Sequence, residues 1–347
     1  MHHIDFISIV EEAWNTYDSS RKFTRIEDIS AQVSTNHVYR ITFPDRNRVI
    51  AKLSYYGQYE HFVEDHTIIN ALSNNLPAPY ENFMARSLMK GNHLFVYRHH
   101  NPILNAWVVF YRPIHIKYRP PRRLDELQIA KLGKQMAQFH QACHLIRNTL
   151  PSSSKTIQSD IQHLLQILNT GYGQHLHGAH QNEIQKQCAI FLENTARLNE
   201  AEFEKIPVFI DWNIGNFSVT KNFTLYSRWD YDWFRMGSRT LDFYFMARVT
   251  SDVGDRTVFS YLVNPLMEER FLIFLKNYHN VFPLTENEIR FLQEAYRFFI
   301  LNYVIKDGRY FFHEIFASKL QQEAYELYFP SIEKVFNAEK ILHSLKV

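Results

Sequence analysis

Three aspartates, Asp211, Asp230 and Asp232, stand among tryptophans, phenylalanines and isoleucines in PVFIDWNIGNFSVTKNFTLYSRWDYDWF, residues 207–234. A carboxylate set beside a core costs several kcal/mol unless a cation or hydrogen-bond donors compensate it. Asp211 and Asn216 are five residues apart with Gly215 between them. Gly before Asn lets the backbone turn so that both side chains face one space. Asp230 follows fourteen residues later, after the strand-like FTLYSRW. Two hard oxygen donors, completed by phosphate oxygens and water, are what Mg2+ requires. A third oxygen group off the metal can orient a hydroxyl or take its proton. Asp211 is assigned the role of base, and Asn216 and Asp230 the role of metal ligands. Asp211 and Asn216 read in isolation equally describe a turn-capping pair.

The elements that must position these groups fall into two textures. Residues 5–17 read as an amphipathic helix. The alternating segments Val38–Phe43 and Arg48–Leu53 flank the turn signal PDRN and predict an antiparallel hairpin. YEHFVEDHTIINAL has helical spacing and is stopped by LPAP. HLFVYRHH and AWVVFYRPI read as strands, the second broken by Pro113. From residue 124 onward LDELQIAKLGKQMAQFHQACHLI is a helix of period 3.6. PSSSKT is a loop, and SDIQHLLQILNTGY opens a helix with Ser159 as its N-cap. Residues 180–204 and most of 258–345 read as helical. The expectation is an α+β chain of two lobes: 1–113, small and β-rich, and 114–347, larger and mainly helical, joined at about 113–123.

Composition bounds the rest. The 347 residues are 46% hydrophobic and 15% aromatic, ample for a large core. Lys plus Arg number 38 against 36 acidic residues, and a net charge of +2 gives no electrostatic case for nucleic acid. With only Cys143 and Cys188, a disulfide framework is not expected. No secretory leader pattern is read at the start, and no apolar run approaches about 18 residues. A soluble cytoplasmic protein is expected, with His2 and His3 incidental.

D-W-N-I-G-N resembles the catalytic-loop D-x-x-x-x-N of the aminoglycoside phosphotransferase and choline kinase group, which has a protein-kinase-like fold. WDYDWFRMGSRTLDFYF is similar to that group's metal-binding segment, with Asp242 twelve residues after Asp230 and Asp232 at a position often acidic in choline kinases. The resemblance implies a bilobal kinase fold, ATP and Mg2+, and phosphoryl transfer to a hydroxyl of a small molecule. It also implies a phosphate-binding lysine on the third strand, held by a helix glutamate. Lys52 in VIAKL fits that lysine, and Glu64 is assigned as its partner with Glu60 as the alternative. VSTNHVYRI matches the phosphate-covering loop, where backbone N–H groups and the hydroxyls of Ser34 and Thr35 would cradle a phosphate. VVFYRPI fits the hinge, with adenine near Tyr111.

The chain departs from this pattern at two points. Phe209 stands where the group usually has His, and no glycine occurs between Met1 and Gly57. A catalytically impaired, pseudokinase-like binding protein is therefore the competing expectation. Asp242 is expected to brace the catalytic loop through backbone hydrogen bonds, and His140 to be a packed histidine. Asp232 is read as either a further metal ligand or pocket wall. The basic run Arg112, Lys117, Arg119, Arg122 and Arg123 is read as a solvated loop. Trp229, Tyr231, Trp233 and Phe234, with the rings of 295–316, could receive an amino-bearing acceptor such as choline or an aminoglycoside, or stack on a sugar.

Overall fold

A computed structural model describes residues 4–31, 34–253 and 260–347. Helix α1, Phe6–Tyr17, is opened by Asp5, whose carboxylate accepts the N–H groups of Ile7 and Ser8. Its inner face buries Val10, Ala13 and Trp14. Next come β1 (Arg25–Asp28), β2 (His37–Thr42), β3 (Arg48–Ser54), α2 (Tyr59–Asn75), β4 (Met89–Lys90), β5 (His93–Leu94), β6 (Val96–His100) and β7 (Asn105–Tyr111). Five of the strands form one antiparallel sheet in the order β1-β2-β3-β7-β6. The expected hairpin is present, with Thr42 opposite Arg48 and Val38 opposite Lys52.

The period of two along β7 decides which core each residue enters. Val108 and Phe110 join Trp14, Phe43, Ala51 and Leu53 beneath α1. Val109 and Tyr111 face the other way and join Ile68, Ile69 and Leu72 of α2 in the core of the helical part. Helix α2 thus belongs by sequence to the first part of the chain and by packing to the second.

The larger part runs through α3 (Glu126–Ile146), α4 (Ile157–Leu168), α5 (Gly171–His177), α6 (Gln181–Arg197), four short strands and α7 (Phe243–Thr250). It continues with α8 (Glu269–His279), α9 (Glu286–Phe299), a π-helical turn at Ile300–Lys306, α10 (Gly308–Phe311), α11 (Glu314–Glu323), α12 (Phe329–Val335) and α13 (Ala338–Leu345). The short strands β8 (Ile206–Val208), β9 (Phe217–Val219), β10 (Leu225–Arg228) and β11 (Arg235–Gly237) pair as β9 with β10 and β8 with β11. Helix α3 lies so close to α8 that a Cβ on Gly133 would run into the carbonyl oxygen of Phe274.

Some expectations need correction. Thr156, not Ser159, caps α4; Ser159 sits at the third position and returns a bond to the Thr156 N–H, a reciprocal capping box. The helix expected over 180–204 stops at Arg197, and Asn199 then takes a left-handed conformation with φ 54°. Strand β1 was not anticipated from the sequence. His2, His3, Val33 of the expected phosphate loop and residues 254–259 lie outside the described residues. Among the described residues no helix is long and apolar enough to cross a membrane. Cys143 and Cys188 are buried thiols.

Candidate active site

The stretch from β8 to β11 is bent into shape by a buried carboxylate. Ile210 sits at φ 61°, a left-handed conformation costly for a β-branched residue. Asp242, fully buried, holds that turn with one oxygen, which accepts the N–H of Phe209 at 2.9 Å and of Ile210 at 2.6 Å. Its other oxygen meets His140 Nε2 at 3.0 Å, and His140 Nδ1 meets the Tyr278 hydroxyl at 2.8 Å. Burial lowers the pKa of His140 despite the opposing pull of Asp242, so the ring is neutral at pH 7. A neutral ring that donates Nε2–H to the carboxylate accepts the tyrosine O–H at Nδ1. Asp242 thus braces the loop through backbone hydrogen bonds, as expected from the sequence, and the packed His140 holds its other oxygen from behind, a link that was not foreseen.

The turn delivers Asp211, and Asn216 donates its side-chain N–H to the Asp211 carboxylate at 2.9 Å. The amide nitrogen is committed to Asp211, so the oxygen of Asn216 is the end suited to a cation. Strand β10 ends in Arg228, fully buried, and the next turn places Asp230 at φ 67°. Arg228 donates to the Asp230 carbonyl at 2.6 Å and to the Asp211 carbonyl at 2.9 Å. Its guanidinium lies 4.1 Å from the centroid of Phe209 and 4.5 Å from that of Trp212. Phe209, in place of a histidine, is one of the faces that seat this arginine.

Lys52 reaches across from β3. Its ammonium lies 3.0 Å from Asp230 Oδ1 and also contacts Asp232 Oδ1. Its side chain is 8% exposed, against 40% for Asp230 and 22% for Asp232. Burial alone would pull Lys52 down, but the two carboxylates more than offset it and raise its pKa above the ordinary lysine value. Burial pushes Asp232 up to about 6 with the like charge of Asp230 adding to it, while Lys52 holds Asp230 low in spite of burial. Asp230, Asp232 and Asn216 each supply a hard oxygen donor, those of both aspartates in contact with Lys52. Among the described residues no group of three or more His, Cys, Asp or Glu side chains is placed to hold a metal ion. Such a set fits an Mg2+ ion that takes its remaining ligands from phosphates and water.

Other candidate residues lie elsewhere. Glu64 does not reach Lys52: it accepts from the Ser153 hydroxyl and the Ser154 N–H, both at 2.8 Å. Glu60 is exposed, 3.7 Å from Arg98. The neighbouring Asp65 pairs with Lys155 at 2.6 Å, so two acids of α2 bind the loop before α4. Among the buried residues of α2 is a titratable one, His66, whose Nε2 meets the Tyr111 hydroxyl at 2.5 Å. Burial holds His66 down at about 3. Beside Tyr111, the Phe110 carbonyl accepts from Leu88 N–H and the Arg112 N–H donates to Arg86.

The Thr35 hydroxyl does not face a phosphate position; it donates to the Tyr310 carbonyl, and the Thr35 N–H donates to the Phe311 carbonyl at 3.3 Å. Ser34 pairs with Phe312 in an antiparallel bridge, and its hydroxyl accepts the Asn36 N–H at 3.1 Å. Without glycines the loop lies against α10.

The aromatic segment is also more internal than expected. Trp233, 5% exposed, is surrounded by Phe245, Phe299, Tyr303, Phe311 and Phe312. Tyr231 and Phe234 are buried, and Trp229 is partly buried against the same core. The run from Arg112 to Arg123 is an exposed loop, with Arg123 paired to Asp252 and Lys117 over Tyr226.

No protein-family model matches the chain, and no curated protein matches its sequence. Solved structures do match. Amicoumacin kinase in complex with AMP-PNP, Ca2+ and Ami superposes with a TM-score of 0.66 at 11% identity, covering 97% of each chain. A microcompartment-associated aminopropanol kinase gives 0.61 at 15% identity, covering 97% of this chain and 98% of the other. The GDP complex of wild-type aminoglycoside 2'-phosphotransferase-IIIa gives 0.56 at 11% identity, covering 96% and 100%. The agreement is one of fold, and that fold is the protein-kinase-like one these structures share.

Proposed function

We propose that this chain is an ATP- and Mg2+-dependent phosphotransferase acting on a hydroxyl of a small molecule. The observation that carries the reading is the meeting of Lys52 from the sheet with Asp230 and Asp232 from the β10–β11 turn, one arginine away from the Asp211–Asn216 pair. The solved structures of similar fold include kinases and phosphotransferases of small molecules, which supports the same class of reaction. An acceptor of amino-alcohol, aminoglycoside or sugar type is proposed, in the cytoplasm. The lobes divide near residue 113, with α2 packed into the core of the second.

In this reading Lys52 leaves its carboxylates to neutralise the α- and β-phosphates, with the base near the end of β7 at Tyr111. Asn216 and Asp230 would hold the cation, with Asp232 as a further ligand. The bound Mg2+ would draw charge from the phosphates. Asp211 aligns the acceptor O–H for in-line attack on the γ-phosphorus and takes its proton, as the bond from that phosphorus to the ADP oxygen breaks. Arg228 fixes the backbones of Asp211 and Asp230 relative to each other. Ser34 and Thr35 would face phosphate only after the loop lifts from Tyr310 and Phe311. Glu64 takes no part in holding Lys52.

The docked loop and Phe209 also favour a second reading, a binding protein of impaired turnover. A thermal-shift titration with ATP, with and without Mg2+, followed by ATP consumption against amino alcohols, aminoglycosides, sugars and nucleosides, separates the two. Metal-dependent stabilisation with consumption supports the enzyme. Stabilisation without consumption on any acceptor supports the binding protein.

A further inference from the structure

Asn36 lies between the docked loop and β2 and is almost fully buried. Its side-chain N–H donates to Asp232 Oδ2 at 2.8 Å, and its side-chain oxygen accepts the Ser54 hydroxyl at 2.7 Å. The direction of this chain is set by chemistry. An ionised carboxylate only accepts, so the amide must turn its NH2 to Asp232 and its oxygen to Ser54, which must then donate. Both oxygens of Asp232 are thereby held from the sheet side, one by Lys52 and one by Asn36, whereas Asp230 is nearly twice as exposed.

We infer that Asn36, set by Ser54, is a positioning residue that keeps Asp232 aimed at the cation site when Lys52 turns to the phosphates. The inference rests on the function proposed above and adds a residue to it. Lys52 cannot serve both the carboxylates and the phosphates, so once it turns away the amide is the side-chain donor that remains on Asp232 among the described residues. A neutral donor suits that task, because it orients the carboxylate without cancelling its charge. Hydrogen-bond partners of metal-ligating carboxylates commonly govern metal affinity by about 10- to 100-fold when removed. A phosphate loop without glycines thus contributes through one side chain aligned on a metal ligand.

The test is the thermal shift of the full chain with ATP, titrated with MgCl2. Asn36→Ala is expected to raise the Mg2+ concentration at half-maximal shift by about tenfold. Ser54→Ala should move it the same way by less, and N36A/S54A should be no worse than N36A, because Ser54 acts through the amide. Ser54→Ala removes only a hydroxyl and keeps the test open if N36A does not fold. Asn36→Asp, which faces one carboxylate with another, should lose more than N36A. Wild-type midpoints in both N36A and S54A, or a double variant that loses the product of the single effects, overturn this inference alone. A wild-type chain with no Mg2+-dependent shift overturns the proposed function and this inference together.

Discussion

Asp242 accepts the backbone N–H of Ile210 at 2.6 Å, and Ile210 is the residue held in the left-handed region at φ 61° one position before Asp211. The carboxylate and the strained turn explain each other: the bond offsets a backbone cost on the order of 1–3 kcal/mol. Asp242→Ala leaves two buried N–H groups without their acceptor. It should destabilise the chain by roughly 2–5 kcal/mol, read as a lower midpoint in urea with little change in slope. Asp242→Asn keeps an acceptor oxygen and should lose less. Equal midpoints for wild type and D242A would contradict the bracing role.

Lys52→Met leaves Asp230 and Asp232 together without their cation. A loss on the order of 3 kcal/mol is expected, lessened by the exposure of Asp230. In nucleotide-free protein, millimolar Mg2+ should restore more of the melting temperature in K52M than it adds to wild type, because it replaces the missing charge. Absence of that difference would count against a cation site at these carboxylates.

Histidines buried in the neutral form give a pH dependence. Burial holds His66 at about 3 and His177 at about 4, against about 6.5 in an unfolded chain, and His140 is also lowered. Below pH about 6.5 the unfolded chain binds protons that the folded chain refuses, so this stability is complete above that pH and is lost as pH falls. Each such histidine steepens the fall by up to about 1.4 kcal/mol per pH unit. Urea midpoints from pH 7.5 to 5 should decline, and His66→Asn should flatten part of the decline. An unaltered slope in that variant would reject the neutral, buried state of His66.

Gly133 tests the packing beneath the site. Gly133→Ala improves helix propensity in α3, yet the added methyl meets the backbone of Phe274 rather than a side chain that could move. Overpacking should win, with a net loss of about 1–3 kcal/mol by urea denaturation. A stabilised variant would show that α3 and α8 can separate at little cost.

What the sequence disclosed and what it withheld divide along physical lines. The hairpin, α2, α3 and the adjacency of Asp211 and Asn216 are local, fixed by alternation, helical period and a five-residue spacing. Lys52 was legible because VIAKL places it on a strand whose neighbours are core. Its partner was not, since the face of α2 turned inward is set by packing against β7. That face carries His66, and Glu64 turns to Ser153 and Ser154. The hydroxyl of Thr35 could be named but its direction could not, because its acceptor at Tyr310 lies 275 residues away. Arg228 did leave a signal: an arginine inside FTLYSRW, a strand of otherwise buried type, asks what buried oxygen it serves. Asn36 left none, for its two partners, Ser54 and Asp232, come from different parts of the chain.

The central claim is that Asp211 acts on the acceptor and not on the nucleotide. It is tested by turnover of Asp211→Ala with ATP, Mg2+ and whichever acceptor the wild type consumes, beside its ATP-dependent thermal shift. The account predicts that turnover falls by at least about 100-fold, the scale of a lost general base, while the Mg2+-dependent shift with ATP survives. Wild-type turnover in the folded variant would contradict it.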